Sequence, residues 1–115
     1  MSRIRMVMQH MCDRDAGVRE VAVATIKSGS ILSKGNGASL SAVLQHVQHV
    51  YPATRQAALS ALPYVCSEKD QSVISAIVVG LEDTDWAVRR EAAICASLLG
   101  DRLNDRLVQV RAHTL

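Results

Sequence analysis

The sequence predicts an all-α fold, a solenoid of about three helix pairs with a further C-terminal helix, and three observations carry that prediction. Of its 115 residues, 49% are hydrophobic but only 3% aromatic, with 15 Ala, 14 Val, 11 Leu, 6 Ile and no Phe. Apolar residues recur at helical spacing along the whole chain, and no stretch alternates convincingly with period two. One short segment also returns, with a period of about 35 residues. Such a composition excludes disorder, which needs low hydrophobicity and high net charge. It argues equally against a β-sandwich or a base-stacking RNA module, both of which draw on aromatics.

Each helix follows from its own stripe. Ile4, Val7, Met8 and Met11 mark the first. Val18, Ala22 and Ile26 mark the second, with Asp13 and Asp15 before it as capping residues. The segment Ser33–Ala38, containing Gly35-Asn36-Gly37, reads as a loop. Leu40, Val43, Leu44 and Val47 form the third stripe; Ala58, Leu62, Val65 and Cys66 form the fourth. Pro52 suits the first turn of that fourth helix, where its missing N–H costs nothing. Pro63 does not suit a helix interior, so a kink or an early end is expected there. Ser67-Glu68-Lys69-Asp70 approximates a capping box ahead of the fifth stripe, Val73 or Ile74 with Ile77, Val78 and Leu81. Asp83 and Asp85 can cap the sixth helix, marked by Val88, Ala92, Cys95 and Leu99, and Gly100 can end it. Leu103, Leu107 and Val110 suggest a seventh.

The repeat is written in the second helices. Asp13-x-Asp15-x-x-Val18-Arg19-x-x-Ala22 aligns without gaps to Asp83-x-Asp85-x-x-Val88-Arg89-x-x-Ala92. Between them lies Thr54-Arg55-x-x-Ala58, which lacks both aspartates and the Val. A single domain, 1–115, therefore divides into repeats at about 1–30, 38–66 and 67–100, with a C-terminal helix at 101–113. One such helix pair cannot bury its apolar stripe alone, so neighbours must stack. Ala22, Ala58 and Ala92 take the same slot, where helices approach closely.

The run Asp83-Thr84-Asp85-Trp86-Ala87-Val88-Arg89-Arg90-Glu91-Ala92-Ala93 resembles the HEAT-repeat family, particularly the HEAT-like type also found in phycobilisome lyases. That resemblance implies a right-handed α-α superhelix whose second helices line its concave face. It further implies that the recurring Asp and Arg form a structural ladder, with Arg19, Arg55 and Arg89 as scaffold. Such repeats host many activities, so the resemblance speaks for fold more than for function.

Charge and cysteine narrow the setting. Thirteen basic and eleven acidic residues leave a net charge of +2, too balanced for a dedicated DNA-binding arm. Residues 67–100 carry 3 basic and 6 acidic side chains, against the basic groove a HEAT-like glycosylase would offer DNA. Residues 39–66 carry Arg55 alone. Cys12, Cys66 and Cys95 are odd in number and without CxxC spacing, which reads as reduced thiols in a cytoplasmic protein. Met1–Met11 is interrupted by Arg3, Arg5, Gln9 and His10 and is no secretory signal, and no membrane segment is expected.

No constellation for catalysis emerges. HEAT-like enzymes such as deoxyhypusine hydroxylase carry His-Glu pairs after the Val-Arg, whereas Glu20-Val21, Gln56-Ala57 and Arg90-Glu91 stand there in this chain. His46 and His49 supply two ligands where a catalytic zinc site takes three, and they read as a surface pair. Cys12 and His10 point apart on a helix, and Cys95 falls on the core stripe. Gly35-Asn36-Gly37 follows no strand and is no phosphate loop. No cofactor and no metal are therefore expected.

What remains is a surface. A helical wheel places Trp86, Arg90 and Ile94 opposite the core stripe of the last repeat, Gln56 and Leu59 in the middle one, and Glu20 and Val23 in the first. Trp and Arg one turn apart are residue types enriched at binding hot spots. On helix 40–50 the outward positions are Ser41, Ala42, Gln45, His46 and His49, a face without charge. The expected function is a non-catalytic scaffold or adaptor for a protein or peptide. A second copy of the chain would use the weakly charged 39–66 segment or the solenoid ends, where Met6, Met8, Met11 and Leu115 look poorly capped. The alternative is a HEAT-like enzyme or enzyme subunit of the bilin-lyase type, followed by a weak nucleic-acid binder.

Overall fold

A computed structural model describes residues 3–29, 37–66 and 70–100. Among them the chain is all-α: α1 (Arg3–Met11), α2 (Ala16–Lys27), α3 (Gly37–His46), α4 (Pro52–Ala61), a 3-10 turn (Leu62–Tyr64), α5 (Gln71–Leu81) and α6 (Trp86–Leu99). The helices pair as α1 with α2, α3 with α4 and α5 with α6, and the pairs stack into a body of 44 × 28 × 18 Å. The second helices form one layer in the order α2, α4, α6, with α4 in the middle. This is an α-solenoid. The C-terminal helix expected over 101–113 lies outside the described residues.

Local chemistry starts and stops the helices largely where composition asks. Asp15 caps α2, accepting from the Gly17 and Val18 N–H groups at 2.7 and 3.2 Å, and Asp85 caps α6 through Ala87 and Val88 at 2.9 and 3.2 Å. Asp70 alone caps α5, accepting from Ser72 N–H at 2.8 Å; the rest of the expected capping box, residues 67–69, lies outside the described residues. Gly37, expected in a loop, opens α3 instead. Pro52 takes the first turn of α4. Pro63 ends that helix early: α4 stops at Ala61, and the chain tightens into the 3-10 turn that contains the proline. Val65 and Cys66 still reach the core, but beyond the helix that their spacing assigned them to. Gly100 closes α6 in the left-handed region at φ 71°, a conformation that glycine adopts at no steric cost.

The core runs unbroken through all three pairs, from Val7, Met8 and Met11 in α1 to Val88, Ala92 and Cys95 in α6. Met8 and Met11 are therefore buried, and of the first helix's methionines expected at a bare end, Met6 alone of those described stays exposed. Ala42, placed outward by the wheel, packs against this core. Ala22, Ala58 and Ala92 are all buried, as their shared slot requires. No helix among the described residues is long and apolar enough to cross a membrane.

The tightest approach is at Gly80 on α5. A Cβ there would sit 2.9 Å from Ala92 Cβ and 3.0 Å from Leu59 Cδ1, joining three helices at one point. Alanine would ordinarily stabilise a helix by about 1 kcal/mol over glycine. Here overpacking against a rigid Cβ and a fully buried leucine costs more, on the order of 1–3 kcal/mol. Gly80→Ala is expected to bring no gain in stability to urea and a loss of up to about 2 kcal/mol, cancelling or reversing the usual sign. Equilibrium unfolding followed by circular dichroism checks it; a stabilised variant would show that α5 and α6 are less closely packed.

Candidate functional site

The surface available for binding is set by how each pair is turned and how the pairs are stacked. In all three turns one arginine, six residues after the turn begins, folds its Nη1 back onto two carbonyls. Arg19 donates to the carbonyls of Asp13 and Arg14 at 2.8 Å each, and Arg55 to those of His49 and Val50 at 2.9 and 3.0 Å. Arg89 does the same with Asp83 and Thr84, at 2.7 and 3.1 Å. A side-chain acceptor completes each turn: Asp13 Oδ1 takes the Asp15 N–H and Asp83 Oδ1 the Asp85 N–H, both at 2.9 Å. In the middle repeat His49 Nδ1 takes the Tyr51 N–H at 3.1 Å. The three arginines are thus scaffold, tied to backbone.

Arg55 does more. Its Nε and Nη2 reach both carboxylate oxygens of Asp83 in the next repeat, at 2.9 and 3.0 Å, a bidentate pair with side chains only 17% and 11% exposed. The Arg55 hydrogen bond holds the Asp83 carboxyl below its ordinary value of 3.8, against the opposing effect of burial and with help from the Asp85 N–H.

With the layer so fixed, α4 lies at the middle of a groove and α2 and α6 flank it. Between α2 and α4 a cavity of about 430 Å³ is lined by Glu20, Val23, Lys27, Gln56, Ser60 and, from α6, Glu91, among small alanines. It adjoins a smaller one of about 170 Å³ between α4 and α6, which shares Lys27, Ser60 and Glu91 and adds Leu59, Pro63, Ile94 and Leu98. Lys27 Nζ lies 5.5 Å from the centre of the Tyr64 ring, within cation–π range.

Of the residues that the wheel selected, Glu20, Val23 and Gln56 meet in the larger cavity and Leu59 and Ile94 in the smaller. Two need correction as surface contacts: Leu59 is 1% exposed and Val23 9%, so they form the floor. For Leu59 the physical reason is that α4 is covered on both sides by neighbouring second helices; Val23 lines the cavity between α2 and its single such neighbour, α4. Trp86 is 65% exposed and Arg90 is exposed as well, but neither lines the groove. Glu91 was missed. Its equivalents, Val21 exposed and Ala57 buried, show that one repeat position changes environment along the stack, which a single wheel averages away.

The polar and nucleophilic groups elsewhere are engaged or hidden. His46 Nδ1 donates to the Ala42 carbonyl at 2.8 Å, and its ring stacks on His49 at 6.2 Å between centroids. Both rings are half-buried, so the pair is less superficial than its sequence suggests. Among the described residues no three His, Cys, Asp or Glu side chains gather to hold a metal ion. Cys66 and Cys95 are buried, and burial pushes the Cys95 thiol up to about 12, with Cys66 and Glu91 adding to the effect. Cys12 is half-buried, its thiol directed at the Met8 carbonyl.

Asp83 makes stability depend on acid. Because its folded value lies below 3.8, its contribution is complete above that pH and is lost as pH falls through the folded value. Asp83→Asn keeps an oxygen acceptor for the turn but has no charge to titrate. The stability gap between wild type and Asp83→Asn is expected to be constant from pH 7 to 5 and to close below 3.8. Urea midpoints measured across that range check it; a gap that persists in acid would show that the ion pair contributes nothing.

The sequence profile described as HEAT repeats matches residues 40–113, spanning the second and third helix pairs and the Arg55–Asp83 link. No curated protein matches the chain. The match covers more than half of the chain, and the chain belongs to the HEAT-repeat family.

Proposed function

We propose that this chain is a non-catalytic scaffold that binds a protein or peptide in the groove across α2, α4 and α6. The observation that carries the reading is the groove itself: two adjoining cavities, each with buried apolar side chains in its lining, meet at Lys27, Ser60 and Glu91, with Arg19, Glu20 and Gln56 on the rim of the larger. Its walls are helices held by backbone-tied arginines, with aspartate caps on α2 and α6, so a partner meets a preformed surface and little binding energy is lost to ordering it. Two carboxylates, Glu20 and Glu91, balance Arg19 and Lys27 around the larger cavity, so it offers no basic stripe of the kind that a phosphate backbone needs. The exposed Trp86 and Arg90 at the start of α6 extend the contact beyond the groove for a larger partner. Three cysteines outside any disulfide suit a reducing compartment.

Filling the groove tests this without touching the core. Ala24 and Ser60 line the larger cavity, with Ala24 exposed and Ser60 half-buried. The double variant Ala24→Arg with Ser60→Arg is expected to keep its thermal transition, since such surface changes stay within about 0.5 kcal/mol each. It should also lose, by tenfold or more in affinity, whichever protein wild type captures specifically. Capture that survives the filled groove with unchanged affinity would move the binding surface elsewhere.

A further inference from the structure

The two junctions between successive repeats are built differently. Where the second repeat meets the third, Arg55 reaches across to both oxygens of Asp83. By the register of the turns, the position between the first and second repeats that corresponds to Asp83 is His49, and the arginine that corresponds to Arg55 is Arg19. His49 reproduces half of the aspartate's work: its Nδ1 accepts the Tyr51 N–H as Asp83 Oδ1 accepts the Asp85 N–H. Nδ1 faces that donor, which assigns the ring proton to Nε2 and leaves no anion for an arginine to meet. Arg19 accordingly spends its hydrogen bonds on the Asp13 and Arg14 carbonyls, and its Nε and Nη2 have no partner among the described residues. The ladder is missing a rung here.

Packing between second helices follows the same asymmetry. At the junction with the rung, Gly80 brings α5 against Leu59 of α4 and the cavity between α4 and α6 is about 170 Å³, although the first helices α3 and α5 leave about 820 Å³ between them. At the junction without it, α2 faces α4 largely through Ala16, Ala24, Ala53 and Ala57, and the cavity is about 430 Å³. Fewer atoms meet across the wider gap, so less dispersion and hydrophobic energy opposes opening.

We propose that the missing Arg–Asp rung at His49 makes the first repeat a hinged unit, opening as α1 and α2 together against a rigid block of α3 to α6. The larger cavity lies on this hinge, with Glu20, Val23 and Lys27 on the moving side and Gln56, Ser60 and Glu91 on the fixed one. Its width is therefore the quantity that the hinge adjusts. The inference concerns the free chain and stands whether or not the groove proves to be the binding surface.

Hydrogen exchange on the full chain tests it, since exchange reports local opening. Buried amides of α2, such as those of Val23 and Ile26, are expected to exchange through an opening at least tenfold more populated than that of α4 and α6. His49→Asp restores the rung: a carboxylate oxygen takes over from Nδ1 in the turn and presents an anion to Arg19. That variant should raise protection across α1 and α2 about tenfold while leaving α5 and α6 unchanged. Adding Arg19→Ala should cancel the gain, which mere fraying of a terminal repeat would not do. Equal protection of α2 and α6 in wild type would overturn the proposal. So would a gain in His49→Asp that survives Arg19→Ala.

Discussion

The shape of this molecule depends on one arginine position. Six residues into each repeat's turn, a guanidinium folds back onto two carbonyls and ties the start of the second helix to the end of the first. This one residue type supplies a donor to two turn carbonyls in every repeat. Because guanidinium has five donors in a rigid fork, it can serve the turn with one nitrogen and reach a neighbour with the others. Arg55 uses the full set, binding its own turn and Asp83 of the next repeat together. Lysine could not do both. Stacking of repeats and turning of helices are thus coupled through a single side chain.

The groove is a consequence of that coupling. The middle second helix has a neighbour on each side, which puts Leu59 in the floor, and Val23 joins it from α2, while polar groups such as Glu20, Gln56 and Ser60 line the rim. An apolar base with a polar margin is the anatomy of a recognition surface for polypeptide. None of it requires a catalytic group, and the cysteines in the core sit where thiols behave as small hydrophobes.

Much of this was legible before any coordinates. Asp-x-Asp-x-x-Val-Arg-x-x-Ala declares a cap, a turn lock and a close-contact slot in ten residues, and the structure puts Asp15, Arg19 and Ala22 in those roles. Pro63 announced the early end of α4. The middle repeat was harder, because hydrogen bonding asks for an acceptor and not for an aspartate; His49 supplies one and hides the pattern. The groove residues were half legible. A helical wheel knows which side is opposite the core but not how many neighbours a helix has, so it placed Leu59 outside and overlooked Glu91. Trp86 stood out by composition, yet its position at the first turn of α6 keeps it off the groove. Which side chains converge is decided by stacking, and stacking is a long-range property.

The central claim is that Arg55 and Asp83 act as a unit across the repeat junction. A double-mutant cycle with Arg55→Ala, Asp83→Asn and the combined variant, followed by urea unfolding at pH 7, isolates their coupling from each residue's own turn contacts. A mostly buried bidentate pair predicts a coupling of about 1.5–3 kcal/mol. Additivity within about 0.5 kcal/mol would mean that the repeats stack by apolar contact alone and that the ladder is incidental.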